Sequence, residues 1–266
     1  MKNLAPSEIR DYVRERYGAI AAQDAAGAGC CGGGANASCC GAPEATYSEK
    51  LGYSAADVAA VPPGADLGLG CCNPLALASI KPGETVLDLG SGAGFDCLLA
   101  ARQLKGTGRV IGVDMAPPMI AKARRNAAKA GFANVEFRLG EIEHLPVADA
   151  SVDLILSNCV INLSPEKAQV YREAFRVLKP GGRLAIADVV ATKPVPANLR
   201  RKLEAIGACV AGAELVSALK AMLRAAGFTR VDLQPKEGSR QIVAQWTEDA
   251  AIADFVVSAY LTADKP

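Results

Sequence analysis

Nine cysteines stand in this chain of 266 residues, and six of them form three adjacent pairs, Cys30-Cys31, Cys39-Cys40 and Cys71-Cys72; Cys97, Cys159 and Cys209 complete the set. In a small secreted domain such pairs would read as a disulfide framework. This chain is large, and its N-terminus, MKNLAPSEIRDYVRERYG, alternates charges where an export signal would be apolar. The thiols are therefore expected to do chemistry in the cytoplasm. Soft thiolates brought together from distant segments could hold a thiophilic trivalent centre. Zinc is the competing ligand, and CC-x7-CC at 30–40 could be half a tetrahedral site. Against it, the C-x2-C spacing of zinc knuckles is absent, and adjacent cysteines do not chelate one ion comfortably.

A second constellation is VLDLGSGAGFD, residues 86–96, in which Gly90, Ser91, Gly92 and Gly94 follow an apolar strand and precede a helix. Glycine lets a ligand lie against bare backbone, and the helix offers unpaired N–H groups. Phe95 stands where a dinucleotide fingerprint would have glycine or alanine, so the spacing is GxGxG and suits a ligand without a pyrophosphate. Asp114 closes the next strand, RVIGVD, 20 residues after Gly94, where a carboxylate can accept from both hydroxyls of a ribose. Asp88, two residues before the loop, could meet a ligand's ammonium group. The single histidine, His144, lies in the polar run GEIEHLPVADAS and reads as an exposed loop residue.

These residues need a scaffold, and composition supports one: half the chain is hydrophobic, and 29 basic side chains oppose 28 acidic ones. A net charge of +1 gives no field to steer nucleic acid or anionic lipid, and no stretch approaches the ~18 apolar residues of a spanning helix. Residues 7–22 repeat apolar positions at helical spacing behind Ser7 as N-cap. The stretch 27–43, GAGCCGGGANASCCGAP, cannot bury enough area to fold unaided and reads as a mobile arm bearing four thiols. Then strands (ETVLDLG, RVIGVD, NVEFRLG, LILSNCVI, RLAIADVV) alternate with helical segments (DCLLAARQL, PMIAKARRNAAKAG, KAQVYREAFRVL). That alternation predicts an α/β fold with a doubly wound, mostly parallel sheet and ligands at the carboxyl ends of its strands. Residues 193–226 are helical in pattern, and FTRVDLQPKEG, RQIVAQW and a last helix or strand near DFVVSAY can supply further strands. The expected division is 1–66 (helix and cysteine-rich arm), 67–192 (α/β domain) and 193–266 (helical insertion and C-terminal region).

The glycine loop, Asp114 and RVLKPGGRL at 176–184 resemble the class I methyltransferases that use S-adenosylmethionine, over about residues 67–192. The resemblance implies a Rossmann-like fold in which Gly90, Ser91, Gly92 and Gly94 line the methionine portion and Asp114 holds the ribose. The turn Gly140-Glu141-Ile142 would meet the adenine, with Asp88, Met115 and Asn158 as further cofactor contacts. Methyl acceptors such as hydroxyls and amines lose a proton to a nearby base, whereas a substrate with a bare lone pair needs none.

SNCVINL, GACVAGAEL, LGLGCC and LGSGAGFDC resemble the arsenite methyltransferases, from Tyr47 to about Phe228. The resemblance implies that Cys159 and Cys209 bind trivalent arsenic, that Cys71 is a third ligand, and that the arm supplies a fourth from Cys30, Cys31, Cys39 or Cys40. In that family the third cysteine usually stands in a Gly-Cys-Gly setting; here Cys72 replaces the following glycine, so either of the pair could serve. Cys97 also matches a family cysteine, but FDCLLAA reads as an inward helical face, which favours core packing. The substrates implied are arsenite and methylated arsenicals, methylated in detoxification. Methylation oxidises arsenic to the pentavalent state, so a thiol reductant, thioredoxin or glutathione, is implied as well. Two other readings compete: a methyltransferase of a small organic acceptor with merely buried cysteines, and a thiol-rich metalloid binder on a degenerate fold. The motifs around Cys159 and Cys209 speak against the first, and the intact glycine loop with Asp114 against the second.

Overall fold

The protein is described by a computed structural model for residues 5–22, 46–196, 206–207, 209–243 and 254–266. The arm with Cys30, Cys31, Cys39 and Cys40 lies outside the described residues, as do 197–205 and 208 within the expected helical insertion.

Helix α1 (Pro6–Ala22) starts one residue before the expected cap, because Pro6 has the fixed φ of a first helical position and the Glu8 carboxylate accepts from the Ala5 N–H at 2.6 Å. Ser7 is exposed inside the first turn. Capping boxes open the short helices α2 (Tyr47–Lys50) and α3 (Ala55–Ala59), with Thr46 and Glu49 in one and Ser54 and Asp57 in the other. After α4 (Leu75–Ala78) the alternation begins: β1 (Thr85–Leu89), α5 (Phe95–Gln103), β2 (Arg109–Asp114), α6 (Pro117–Ala130) and β3 (Val135–Leu139). It continues with β4 (Val152–Asn158), α7 (Lys167–Val177) and β5 (Leu178–Ala191).

These strands pair in parallel in the order β3-β2-β1-β4-β5. All five residues of β1 are buried, as a strand covered by helices on both faces requires. Its side chains alternate between two cores: Leu87 and Leu89 pack with Ile111, Val113 and Ile155, while Val86 packs with Val110, Leu154 and Leu156. The doubly wound sheet expected from the sequence is this one.

The C-terminal part departs from the sequence reading in detail. In the stretch read as helical from 193 to 226, residues 209–212 form turns, Leu215 bridges to Ala191, and α8 (Val216–Ala226) carries the helix. β6 (Thr229–Pro235) follows, but the described part of RQIVAQW is a helix, α9 (Arg240–Val243), not a strand. Four residues with no strong alternation left that choice to tertiary packing. The element near DFVVSAY is a strand, β7 (Val256–Asp264), inserted antiparallel between β5 and β6 to complete a seven-stranded sheet.

The segment around Cys209 packs backbone to backbone on the turn after β4: a Cβ at Gly212 would lie 2.0 Å from the Asn162 carbonyl oxygen. Gly212→Ala should therefore cost about 2 kcal/mol and lower Tm by several degrees in a thermal melt. A melt within a degree of the parent would show that this close approach does not exist.

Candidate active site

Strand β1 runs beside β4, and the loops that follow them open into one crevice where the connections of the sheet diverge. The glycine loop forms one wall. Gly90 and Ser91 donate their N–H groups to the Val113 carbonyl at 2.8 and 3.0 Å, which ties the loop to β2. Gly92 has a φ of +52°, and a Cβ there would meet no atom within 4 Å, so bare backbone faces the cleft. Asp114 accepts from the N–H groups of Gly92 at 3.0 Å and Ala116 at 2.9 Å. Ser91 Oγ is buried without a hydrogen-bond partner. An orphan hydroxyl and an uncovered glycine in a wall holding two acids are what a polar, cationic ligand would complete. The cleft encloses about 1140 Å³, its open mouth included.

Of the residues that the sequence assigns to this ligand, Asp88, Gly90, Ser91, Gly92, Asp114 and Met115 line the cleft, as do Gly140, Ile142 and Asn158. Gly94 and Glu141 do not. Gly94 caps α5 with its back to the Phe137 ring, and Glu141 turns outward to an ion pair with Arg14 at 3.0 Å. Its neighbour Glu143 faces the cleft instead.

The four described cysteines outside α5 cluster beside this cleft, and of them Cys159 lines it. Cys159 follows β4 in the left-handed region, φ +57°, with its N–H on the Ala187 carbonyl at 2.8 Å. Cys209 is also left-handed, φ +62°, and its thiol donates to the Cys159 carbonyl at 2.7 Å. Non-glycine residues held there store strain, which collects at functional sites. The Cys159 thiol is within hydrogen-bonding reach of both Cys71 and Cys209, and the Cys71 thiol reaches Cys72. The thiols are thus neighbours in succession, Cys72, Cys71, Cys159, Cys209, all buried in an apolar cluster with Ala187, Val189 and Val13. Among the described residues no three Cys, His, Asp or Glu side chains form a ready ion cage. Closing Cys71, Cys159 and Cys209 around one centre requires side-chain rotation.

The environments of these thiols differ. Burial holds Cys71 well above the usual thiol range, and the hydrogen bonds with Cys209 and Cys71 raise Cys159 likewise. Cys72 is lowered to about 7 by its hydrogen bond with Cys71, helped by the Lys236 ammonium and the Ser258 hydroxyl. Cys97 is wholly buried on α5 with its thiol 3.3 Å from Asp88 Oδ2, a packed position as its helical face implies. His144 is exposed.

Asn158 joins the two ends of the site. Its Oδ1 accepts from the Cys71 N–H at 3.1 Å, while its amide donates to the Cys72 carbonyl and the Tyr53 hydroxyl at 2.9 Å and to Asp96 Oδ2 at 3.2 Å. Tyr53 donates to Asp96 Oδ1 at 2.6 Å. Gly70 fits against this amide because a Cβ there would sit 2.7 Å from Asn158 Nδ2. Helix α1 closes the site from outside. Arg10 and Arg14 reach the carboxylates of Glu141, Glu143 and Glu166, and Tyr17 donates to the Gly207 carbonyl at 3.1 Å beside the Cys209 thiol. A second cleft of about 790 Å³, open solvent included, shares Tyr17, Leu69, Gly70 and Cys159 with the first and adds Ile20, Tyr47 and Cys209.

Sequence reasoning missed Asp96, Tyr53 and the whole role of α1. Asp96, directly after the glycine loop, was the readable one. Tyr17, Val13, Arg10 and Arg14 share one helical face, but nothing local says what that face covers.

A methyltransferase domain family matches residues 80–227. An arsenite methyltransferase of Halobacterium salinarum is 54% identical over 98% of this chain and 68% of its own length. One from Aquipseudomonas alcaligenes is 44% identical over 58% of this chain, which spans 47% of that protein. The crystal structure of an arsenic(III) S-adenosylmethionine methyltransferase from Chlamydomonas reinhardtii superposes with a TM-score of 0.61 at 32% identity, covering 84% of this chain and 74% of that one.

Two buried acids set a pH dependence. Burial raises Asp96, against its bonds from Tyr53 and Asn158, to about 6, and burial raises Asp188 likewise to about 6. Between the unfolded value near ~3.9 and about 6 the folded chain binds more protons than the unfolded one, so stability falls as pH rises through that window. The ligand-free protein should melt higher at pH 5 than at pH 7.5, and Asp96→Asn should flatten the slope. A melting temperature that rises over this range would contradict the assignment.

Proposed function

As a member of the arsenite methyltransferases, S-adenosylmethionine-dependent enzymes of the class I fold, this chain is one that we propose methylates trivalent arsenic held by Cys71, Cys159 and Cys209. The observation that carries this reading is the place of Cys159: its thiol neighbours those of both Cys71 and Cys209, and the residue lines the glycine-loop cleft. The cofactor supplies an electrophilic methyl group on a sulfonium. The chain has the features to hold it: bare backbone at Gly92, the orphan Ser91 hydroxyl, Asp114 for the ribose, and the buried acids Asp88 and Asp96 for its positive charges.

Trivalent arsenic needs no general base, since its lone pair is the nucleophile. High thiol pKa values are no obstacle to loading it, because each thiol proton leaves with an arsenite hydroxyl as water. What the protein then contributes is position and dryness. The strained backbone at Cys159 and Cys209 sets two sulfurs, Asn158 sets Cys71, and Val13 and Tyr17 of α1 cover them. Arm thiols among Cys30, Cys31, Cys39 and Cys40 would capture arsenite and pass it to these three cysteines, and would be dispensable for methylarsenite, which needs two thiolates. In this reading residues 1–66 bring the cover and the arm, 67–192 hold the cofactor, and 193–266 contribute Cys209. Repeated turnover uses a thiol reductant of the cytoplasm, thioredoxin or glutathione. Incubation with labelled S-adenosylmethionine, arsenite and thiol should yield methylated arsenicals, and their absence refutes the reading.

Asp114→Ala and Gly92→Val should abolish S-adenosylmethionine binding measured by calorimetry while arsenite still binds, because the two ligands use different residues. Unchanged cofactor affinity in both would sink the cofactor site. Cys159→Ser or Cys209→Ser should lower methylation of arsenite and methylarsenite by at least ~10²-fold, since a hydroxyl is too hard to replace a thiolate on arsenic. Turnover retained in either variant would move the arsenic site elsewhere.

A further inference from the structure

The wall expected to meet the adenine is closed off in this chain. Ile142, Glu143, Leu163 and Ser164 all line the first cleft, yet none is more than 7% exposed. Helix α1 lines the same cleft with Arg10, Val13 and Arg14. Ile142 is packed into the sheet core behind it, so of the two sides only α1 can move aside. That helix is fastened unevenly. Its buried residues are Val13, Gly18 and Ala21, all in the later part. There Ala21 packs with Ala116 and Met119, its carbonyl accepts from the buried Lys122 ammonium at 3.2 Å, and Tyr17 holds the Gly207 carbonyl. The first two turns bury nothing fully, and only Ile9 and Tyr12 are half-buried. Charge holds them instead: Arg10 pairs with Glu166 and reaches Glu143 at 3.5 Å and Glu141 at 3.7 Å, and Arg14 pairs with Glu141 at 3.0 Å. Glu141 and Glu166 keep contact with water, and such partly exposed pairs hold weakly and yield to salt. Arg10 Nε is buried with no hydrogen bond, so the closed arrangement is not fully satisfied.

We propose that the first two turns of α1 are the gate through which the nucleoside end of the cofactor enters and leaves, with Arg10 and Arg14 as its latch on Glu141, Glu143 and Glu166. This rests on the cofactor site proposed above and is independent of arsenic. The gate opens by fraying of turns that bury no residue, while the Ala21 end stays fixed on α6. Val13 and Tyr17, which pack on the thiol cluster, lie beyond the moving turns, so the gate opens one cleft and leaves the thiols covered. Glu143 belongs both to the latch and to the wall, where it accepts from Ser164 at 2.5 Å, so closing the gate and setting the adenine wall are one event. Ion pairs made alike in the empty and the occupied closed states add nothing to affinity. They set how often the gate opens, and so scale entry and exit together. Spent cofactor leaves no faster than the latch breaks.

The test uses the full chain without arsenic and S-adenosylhomocysteine as the probe, whose lack of net charge makes salt act on the latch rather than on encounter. Association and dissociation rates are read by surface plasmon resonance, affinity by calorimetry, and opening by amide hydrogen exchange with mass spectrometry. The double variant Glu141→Gln, Glu166→Gln removes latch partners that do not line the cleft. In it both rates should rise at least ~3-fold while Kd stays within ~2-fold of the parent. Raising salt from ~0.05 to ~0.5 M should speed both rates in the parent, and less in the variant. Amides at 10–13 should exchange faster than those at 16–22 and slow when the probe binds; unchanged exchange at 16–22 shows that the variant keeps its fold. A rise in dissociation alone, with Kd weakened in proportion, makes these acids ligand contacts and overturns the gate. Rates unmoved by both variant and salt overturn it too, and leave the cofactor site standing. No binding of the probe by the parent chain overturns both.

Discussion

The amide of Asn158 is the constraint on which the site turns. It ends β4, precedes the strained Cys159, and bonds at once to the backbone of Cys71 and Cys72 and to the Asp96–Tyr53 pair at the cofactor end. Four segments far apart in sequence, around residues 53, 71, 96 and 158, are thereby fixed to one planar group. Each such buried bond contributes about 1 kcal/mol net, but leaving its partners unpaired costs more. The network is therefore more a device of registration than of stability. It keeps the thiols at a set distance from the glycine loop, and the close packing at Gly70 shows that no larger residue fits there.

Electrostatics sharpen the same picture. Asp88 and Asp96 lie buried within one wall, each raising the cost of ionising its neighbourhood, and burial holds Asp88 well above the usual carboxylate range. A sulfonium and an ammonium arriving in the cleft relieve that cost, so the folded protein stores in its acids part of the free energy that selects a cationic ligand. The thiol end is the opposite: apolar and closed, with the Lys236 ammonium beside Cys72. Two environments a few residues apart suit two ligands of different hardness.

Much of this was legible in the residues. The βα alternation gave the parallel sheet, because strands buried on both faces and helices with one apolar face are distinct patterns. GxGxG with Asp114, and cysteines in SNCV and GACV, located both ends of the site, since backbone exposure and soft ligands each demand particular residue types. What stayed hidden was tertiary. The Tyr53–Asp96–Asn158 network links residues with no common motif, and Glu141 faces Arg14 rather than the cleft because a helix from the far N-terminus packs there. The short RQIV segment carries too little periodicity to reveal a helix. The pairing of Lys236 with Cys72 joins positions more than 160 residues apart, which no local pattern reports.

The two clefts share a wall of Tyr17, Leu69, Gly70 and Cys159, yet only the second reaches Cys209. Such a plan separates traffic. Under the proposed function, a metalloid fixed to Cys159 and Cys209 would be anchored at the second cleft, while a nucleoside held over the glycine loop would leave and be replaced through the first. The chain would then suit processive work: successive methyl donors would visit one captive acceptor, and the partly finished product would have no need to be released and caught again.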